Sequence, residues 1–196
     1  MKYASQSIGE FLRNVASTNV TPAGGTAAAV VGATGASLCE MVCIHTIETE
    51  PTDGETRELV DVRDDLATQR VHLLELADAD SAAVEAVLSD DDLIERKRAV
   101  GVPLTIATAC RDVLDQATVV TERGRRTAVP DGVTGGFLAH AALRATVYTV
   151  RSNLPRIPDP SFVERVERRA DDVERSGERA YEQVVEHGHS YLRTNK

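Results

Sequence analysis

Residues Thr21–Met41 read TPAGGTAAAVVGATGASLCEM, with no charged side chain before Glu40, in a chain where 27% of residues are Asp, Glu, Lys or Arg. Thr21-Pro22 and Gly24-Gly25 mark a loop, and Thr26 offers a hydroxyl able to cap the next helix. From Ala27 to about Glu48 the pattern predicts that helix. On it Ala28, Gly32 and Ala36 share one face, and Gly25, Ala29, Ala33 and Ser37 share the next. Hydrogen atoms and methyl groups therefore clothe two of its sides. Neighbouring backbones can approach such a surface closely, which places the helix at the centre of a bundle. The same stretch is the one candidate for a membrane span. Pro22, the glycines and threonines, and Glu40 interrupt it, however, and its mean hydropathy reads below that of a spanning helix.

Upstream, Ser7 with Glu10 makes a capping box, and Ile8, Phe11, Leu12 and Val15 repeat at helical spacing to about Ser17. Downstream, EPTDGE at 50–55 ends the central helix. A long helix is predicted over 56–89, with Leu59, Val62, Leu66, Leu73, Ala77, Val84 and Val87 on one side. SDDD at 89–92 restarts the chain into a fourth helix over 93–121, with Pro103 inside it as a kink point. A fifth, rich in small residues, runs from about Val133 to Asn153. LPRIPDP at 154–160 is a stiff turn, and Ser161 with Glu164 forms a second capping box before a last helix striped by Phe162, Val166, Val173, Ala180, Val184 and Tyr191. Nothing reads as a strand. The expectation is one domain over 1–196, an all-α antiparallel bundle of about six helices.

The chain has 196 residues, of which 42% are hydrophobic, enough for one core. A net charge of −9 and a pI near 5.1 argue against nucleic acid as a partner. Only three of the 22 basic residues are lysine, and with abundant Asp, Thr and Val this suggests a salt-adapted organism. Cys39, Cys43 and Cys110 lack the count and spacing of a disulfide framework, and no signal peptide is evident, so a reducing cytoplasm is expected.

Two anomalies bear on function. Gly24, Gly25 and Thr26 stand at a helix start, where backbone N–H groups at the positive end of the helix dipole suit an anion or a polarised carbonyl; an ordinary helix start is the alternative. It is neither a dinucleotide fingerprint nor a P-loop. Asp80, reached by stepping Leu73, Ala77, Asp80, Val84 and Val87, sits on the apolar stripe of the third helix. Burying a carboxylate raises its pKa towards what a general acid or base needs, unless donors or an Arg compensate. Asp78 falls on another, solvated face. Asp131, in AVPDGV, reads as a binding residue or as a helix cap. Arg151 and Asn153 can contact a carboxylate and an amide-rich ring, or close the C-terminus of the fifth helix. The cysteines read as buried apolar thiols, and the histidines of EHGH at 186–189 as part of a frayed terminus, since neither zinc nor di-iron spacing is met. No metal site is expected.

With those residues in view, the chain resembles the cyclodeaminase/cyclohydrolase family. The likeness rests on FLRNVASTNVTPAGGTAAAVVGATGASLCEMV at 11–42, close to that family's Pro-Gly-Gly-Gly-Ser loop and small-residue helix. LADADSAAVEAV at 76–87, Val102-Pro103-Leu104, Asp131, and VRSNLPRI at 150–157 extend it. The resemblance implies an all-helical homodimer binding a tetrahydrofolate as substrate, with no metal or redox cofactor; the charge and the interrupted apolar stretch argue against nucleic-acid and membrane partners. It implies that Asp80 is the acid/base residue, that Gly24 to Thr26 supply donors, that Asp131 meets pterin N–H groups, and that Arg151 and Asn153 meet the glutamate tail or ring edge. The implied reaction is either ring closure of 5-formiminotetrahydrofolate with loss of ammonia or hydrolysis of 5,10-methenyltetrahydrofolate. Ala23, Thr26, Ile44, Arg125, Arg126, Thr127 and Thr149 depart from the family pattern. They leave open a non-catalytic helical homodimer that binds a small metabolite or a partner protein.

Overall fold

The computed structural model describes residues 2–49 and 54–194. Six α-helices, α1 (Ile8–Val15), α2 (Gly24–Thr49), α3 (Gly54–Ser89), α4 (Leu93–Arg123), α5 (Val129–Asn153) and α6 (Pro160–Thr194), account for nearly all of it, with short 3₁₀ turns at Tyr3–Ser5 and Leu154–Arg156. No strand occurs among the described residues. Most of the EPTDGE turn lies outside them.

The small-residue helix is central, as its composition predicts. α2 packs against α3 on one side and α5 on the other, with α4 behind; α4 and α5 in turn pack on α6. A Cβ at Gly35 would meet the Gly135 carbonyl oxygen at 2.7 Å, and one at Gly135 would meet that of Gly35 at 2.8 Å, so the α2 and α5 backbones cross in direct contact. Leu66, Leu73, Ile106, Leu114 and Leu143 fill the space between the other helices. By length and composition α2 is apolar enough to cross a membrane, which corrects the lower hydropathy expected from the sequence. Half of its apolar stretch is buried inside the bundle.

Several boundaries move for identifiable reasons. α2 starts at Gly24, so Thr26 lies in its first turn and does not cap it. α5 starts at Val129, with Pro130 in its opening turn where the missing N–H costs nothing. Asp131 is therefore inside the helix, not in a link before it. At α6 the cap is Asp159, whose Oδ1 accepts from the Phe162 N–H at 3.1 Å and the Ser161 hydroxyl at 2.9 Å; Ser161 is already helical. Ser7 does cap α1, accepting from the Glu10 N–H at 3.2 Å. Of the α1 stripe, however, only Phe11 packs inward, edge-on to Tyr3 at 5.5 Å. Ile8 is 80% exposed, and Leu12 and Val15 are also exposed. α6 continues through His187, whose Nδ1 lies 2.9 Å from the Thr121 hydroxyl, so the EHGH segment is docked, not frayed.

Candidate functional site

α2 and α3 run antiparallel, and this brings the first turn of α2 onto Asp80. Gly25 is what allows the approach: a Cβ there would lie 2.5 Å from Asp80 Oδ1 and 2.8 Å from Oδ2. Asp80 is 3% exposed. Its Oδ2 accepts from the Thr26 hydroxyl at 2.8 Å, and the Thr26 backbone N–H is a second donor to the carboxylate. No lysine or arginine among the described residues pairs with it. Burial pushes the Asp80 carboxyl above the ordinary carboxylate range, and the two Thr26 donors pull it only part of the way back. The anion that the start of α2 faces is thus the protein's own carboxylate. Thr26, one of the departures from the resembled pattern, keeps the hydroxyl that makes this contact.

The residues around Asp80 extend the pattern beyond what spacing suggested. Ser81 Oγ lies 3.0 Å from Thr26 Oγ1 and 2.6 Å from the Tyr3 hydroxyl. Asp78, expected to be solvated, is half-buried and accepts the backbone N–H groups of Lys2 at 2.7 Å and Tyr3 at 3.0 Å. Ser81 could have been flagged as the hydroxyl adjoining the anomalous carboxylate. Tyr3 could not, because 78 residues separate it from its partner.

The remaining candidates do not gather at Asp80 within one chain. Asp131 is exposed on the first turn of α5. A Cβ at the adjacent Gly132 would meet Val42 at 3.7 Å; Gly25 to Val42 is seventeen residues of α2, about 25 Å at ~1.5 Å per residue. Arg151 and Asn153 are at the Asp80 end of the bundle, since α5 runs antiparallel to α2. Arg151 is turned towards α6, donating to Asp171 and Glu174 at 2.8 Å each. Asn153 donates to the Ala99 carbonyl at 3.0 Å, tying the end of α5 to the start of α4. Gly24 is exposed with open space beside it.

Elsewhere, the three cysteine thiols are buried and pushed up to about 12 by loss of solvent, as expected of inert apolar thiols. His140 bonds Glu178 through Nε2 and stacks on Tyr181 at 3.9 Å. No group of three or more His, Cys, Asp or Glu among the described residues is placed to hold a metal ion. An apolar cavity of about 320 Å³ lies between the start of α5 and the end of α6, lined by Pro130, Val133, Phe137 and Leu192 among others. It is at the Asp131 end of the bundle and contains no part of the Asp80 cluster.

Residues 7–172 match the formiminotransferase-cyclodeaminase family. The methenyltetrahydrofolate cyclohydrolase of Methylorubrum extorquens is 31% identical over 176 residues, an alignment covering 82% of this chain and 85% of that protein. The fold is that of the crystal structure of formiminotetrahydrofolate cyclodeaminase from Thermotoga maritima, with a TM-score of 0.93 and 24% identity over 97% of this chain and 99% of that one.

Proposed function

The chain belongs to the formiminotransferase-cyclodeaminase family, and from that premise we propose that it acts on the one-carbon bridge of a tetrahydrofolate, with Asp80 as general acid and base. The observation that carries this reading is a buried carboxylate held at a helix start by neutral donors, with no lysine or arginine among the described residues paired to it; burial pushes its pKa up. A structural carboxylate of that burial is normally paired. One left unpaired can exchange a proton near neutral pH.

Between the two family reactions, the 31% identical relative favours hydrolysis of 5,10-methenyltetrahydrofolate. The bridging amidinium carbon is already electrophilic. Ionised Asp80 takes a proton from a water as its oxygen bonds to that carbon, giving a neutral carbinolamine. Collapse forms the formyl C=O and breaks one C–N bond; Asp80 returns its proton to the departing nitrogen, and the hydroxyl proton is released. These steps use only the folate substrate, water and Asp80. Arg151 serves a glutamate tail only after leaving Asp171 and Glu174, whereas Asn153 and Gly24 are already at the right end of the bundle.

The working unit is a homodimer of one 196-residue helical domain. Ile8, Leu12 and Val15 of α1, Ile44 of α2, and Phe137 and Tyr148 of α5 are exposed, and the outer face of α2 carries no charge before Glu40. A second copy covers such faces without charge burial. With about 25 Å between Asp80 and Asp131 along α2, Asp131 reaches an Asp80 centre only from that second copy.

Loss of methenyltetrahydrofolate absorbance on addition of purified protein tests the assignment. Ammonia release from 5-formiminotetrahydrofolate instead would select the deaminase reaction. Saturable folate binding with neither turnover would replace the enzyme with a non-catalytic metabolite-binding dimer.

A further inference from the structure

Asp80 is the last member of a file of four oxygens. The Tyr3 hydroxyl lies 2.6 Å from Ser81 Oγ, which lies 3.0 Å from Thr26 Oγ1, which donates to Asp80 Oδ2 at 2.8 Å. All four residues are buried, with exposures of 6%, 3%, 0% and 3% in that order. Each hydroxyl has one proton to give. Ionised Asp80 only accepts, so the Thr26 proton points at it. Thr26 must then accept from Ser81, and Ser81 from Tyr3. The direction of the whole file is set by the charge at its end, and each bond polarises the next.

We propose that Tyr3, Ser81 and Thr26 are positioning residues whose hydroxyl file anchors Oδ2 of Asp80 and so sets the orientation and acidity of the carboxyl that exchanges a proton with substrate. This rests on the function proposed for Asp80 and adds to it what holds the carboxyl in place. It also makes the N-terminal turn part of the centre. Tyr3 is held there independently of its hydroxyl, by its backbone bond to Asp78 and its edge contact with Phe11, so removing the phenol oxygen leaves the ring in place.

The other charges near Asp80 are few. On α3 they are Asp78, bound by the Lys2 and Tyr3 amides, and Glu85, which accepts from the Thr21 hydroxyl at 2.7 Å. The Lys2 ammonium sits over the Tyr3 ring at 5.3 Å. α2 has no charge before Glu40, α4 none between Arg98 and Arg111, and Arg151 of α5 is engaged by α6.

The test is the titration of the Asp80 side-chain carboxyl, followed by ¹³C NMR in the full-length protein, alongside the pH profile of kcat/KM. Tyr3→Phe removes the first donor of the file and Thr26→Val the last. Hydrogen bonds to the charged form hold a carboxyl pKa down, so both changes are expected to move the titration upward, Thr26→Val further, while Thr26→Ser restores it. In Tyr3→Phe the acid limb of kcat/KM is expected to fall on the order of two- to tenfold, the worth of one hydrogen bond, with the alkaline plateau kept. An unmoved Asp80 titration in folded Tyr3→Phe overturns the proposal, as does a loss of activity uniform across pH. Should Thr26→Val fail to fold, Ser81→Ala breaks the file at its middle and must give the same upward shift. A shifted titration in a protein without folate turnover would support the file and dismiss the proposed reaction; normal turnover with an unshifted titration would do the reverse.

Discussion

Replacing Asp80 by Asn separates catalysis from architecture. The amide has the carboxylate's shape, and its oxygen can accept from the Thr26 hydroxyl as Oδ2 does at 2.8 Å, so the contact between α2 and α3 survives. Proton exchange does not. One general acid/base group contributes about 10²- to 10⁴-fold, or about 2.7–5.4 kcal/mol of barrier at ~1.36 kcal/mol per tenfold, and turnover is expected to fall by that factor. Stability should move the other way. Asp80 has a raised pKa because burial penalises its charged form; its stabilising contribution is therefore present at low pH, in the protonated state, and lost as pH rises through the folded-state value. Asn stays neutral throughout. Melting temperatures of the two proteins should agree at the acid end and diverge at pH 8 in favour of the variant. Differential scanning fluorimetry across pH, with turnover on the same preparations, measures both. Had Asp80 been one half of a buried ion pair, the change would strand the partner charge at a cost of roughly 3–5 kcal/mol. A large drop in melting temperature with normal turnover in the folded fraction would refute the reasoning.

Gly25→Val puts a Cβ 2.5 Å from Asp80 Oδ1, so it should displace the carboxylate, weaken folate affinity and lower turnover on the order of 10²-fold or more, the worth of one acid/base group, with a smaller loss of thermal stability; unchanged affinity would make the glycine purely structural. Gly35→Leu drives a side chain into the Gly135 carbonyl and should cost at least ~1–3 kcal/mol by overpacking, read from urea unfolding. Asp159 is held well below the ordinary carboxylate range by Lys97, by the Phe162 N–H and by Ser161, so its contribution is present above about pH 4 and lost on acidification; the stability gap between wild type and Asp159→Asn should shrink in acid melts. Size-exclusion chromatography with light scattering, at high and low salt, should give twice the chain mass, and a strict monomer in both would remove the dimer.

Much of this molecule is legible in one dimension because helices impose a short period. The stripe through Leu59, Leu66, Leu73 and Ala77 is buried as its spacing requires, and the same spacing put Asp80 inside before any contact was known. α2 announced itself as central because only a helix without bulk can have its backbone crossed by another, which Gly35 and Gly135 then do. Capping was less legible. Ser7, Asp92 and Asp159 all cap helices, but Ser161 has the right spacing and is already inside its helix, because the hydroxyls and carboxylates of a short turn compete for the same free N–H groups.

Local pattern thus determined the all-α class, the central helix and the unusual position of Asp80. The tertiary structure decided what Asp80 meets. Antiparallel packing of α2 on α3 delivers Thr26 and Gly25 to the carboxylate, and the N-terminal turn delivers Tyr3 across 78 positions. It also parts residues that sequence reading had grouped, leaving Asp131 at the far end of α2 and Arg151 bound to α6. Periodicity specifies which face of a helix a residue occupies; which residue of another helix lies opposite depends on axial register and crossing, and these are set by the packing of all six helices together.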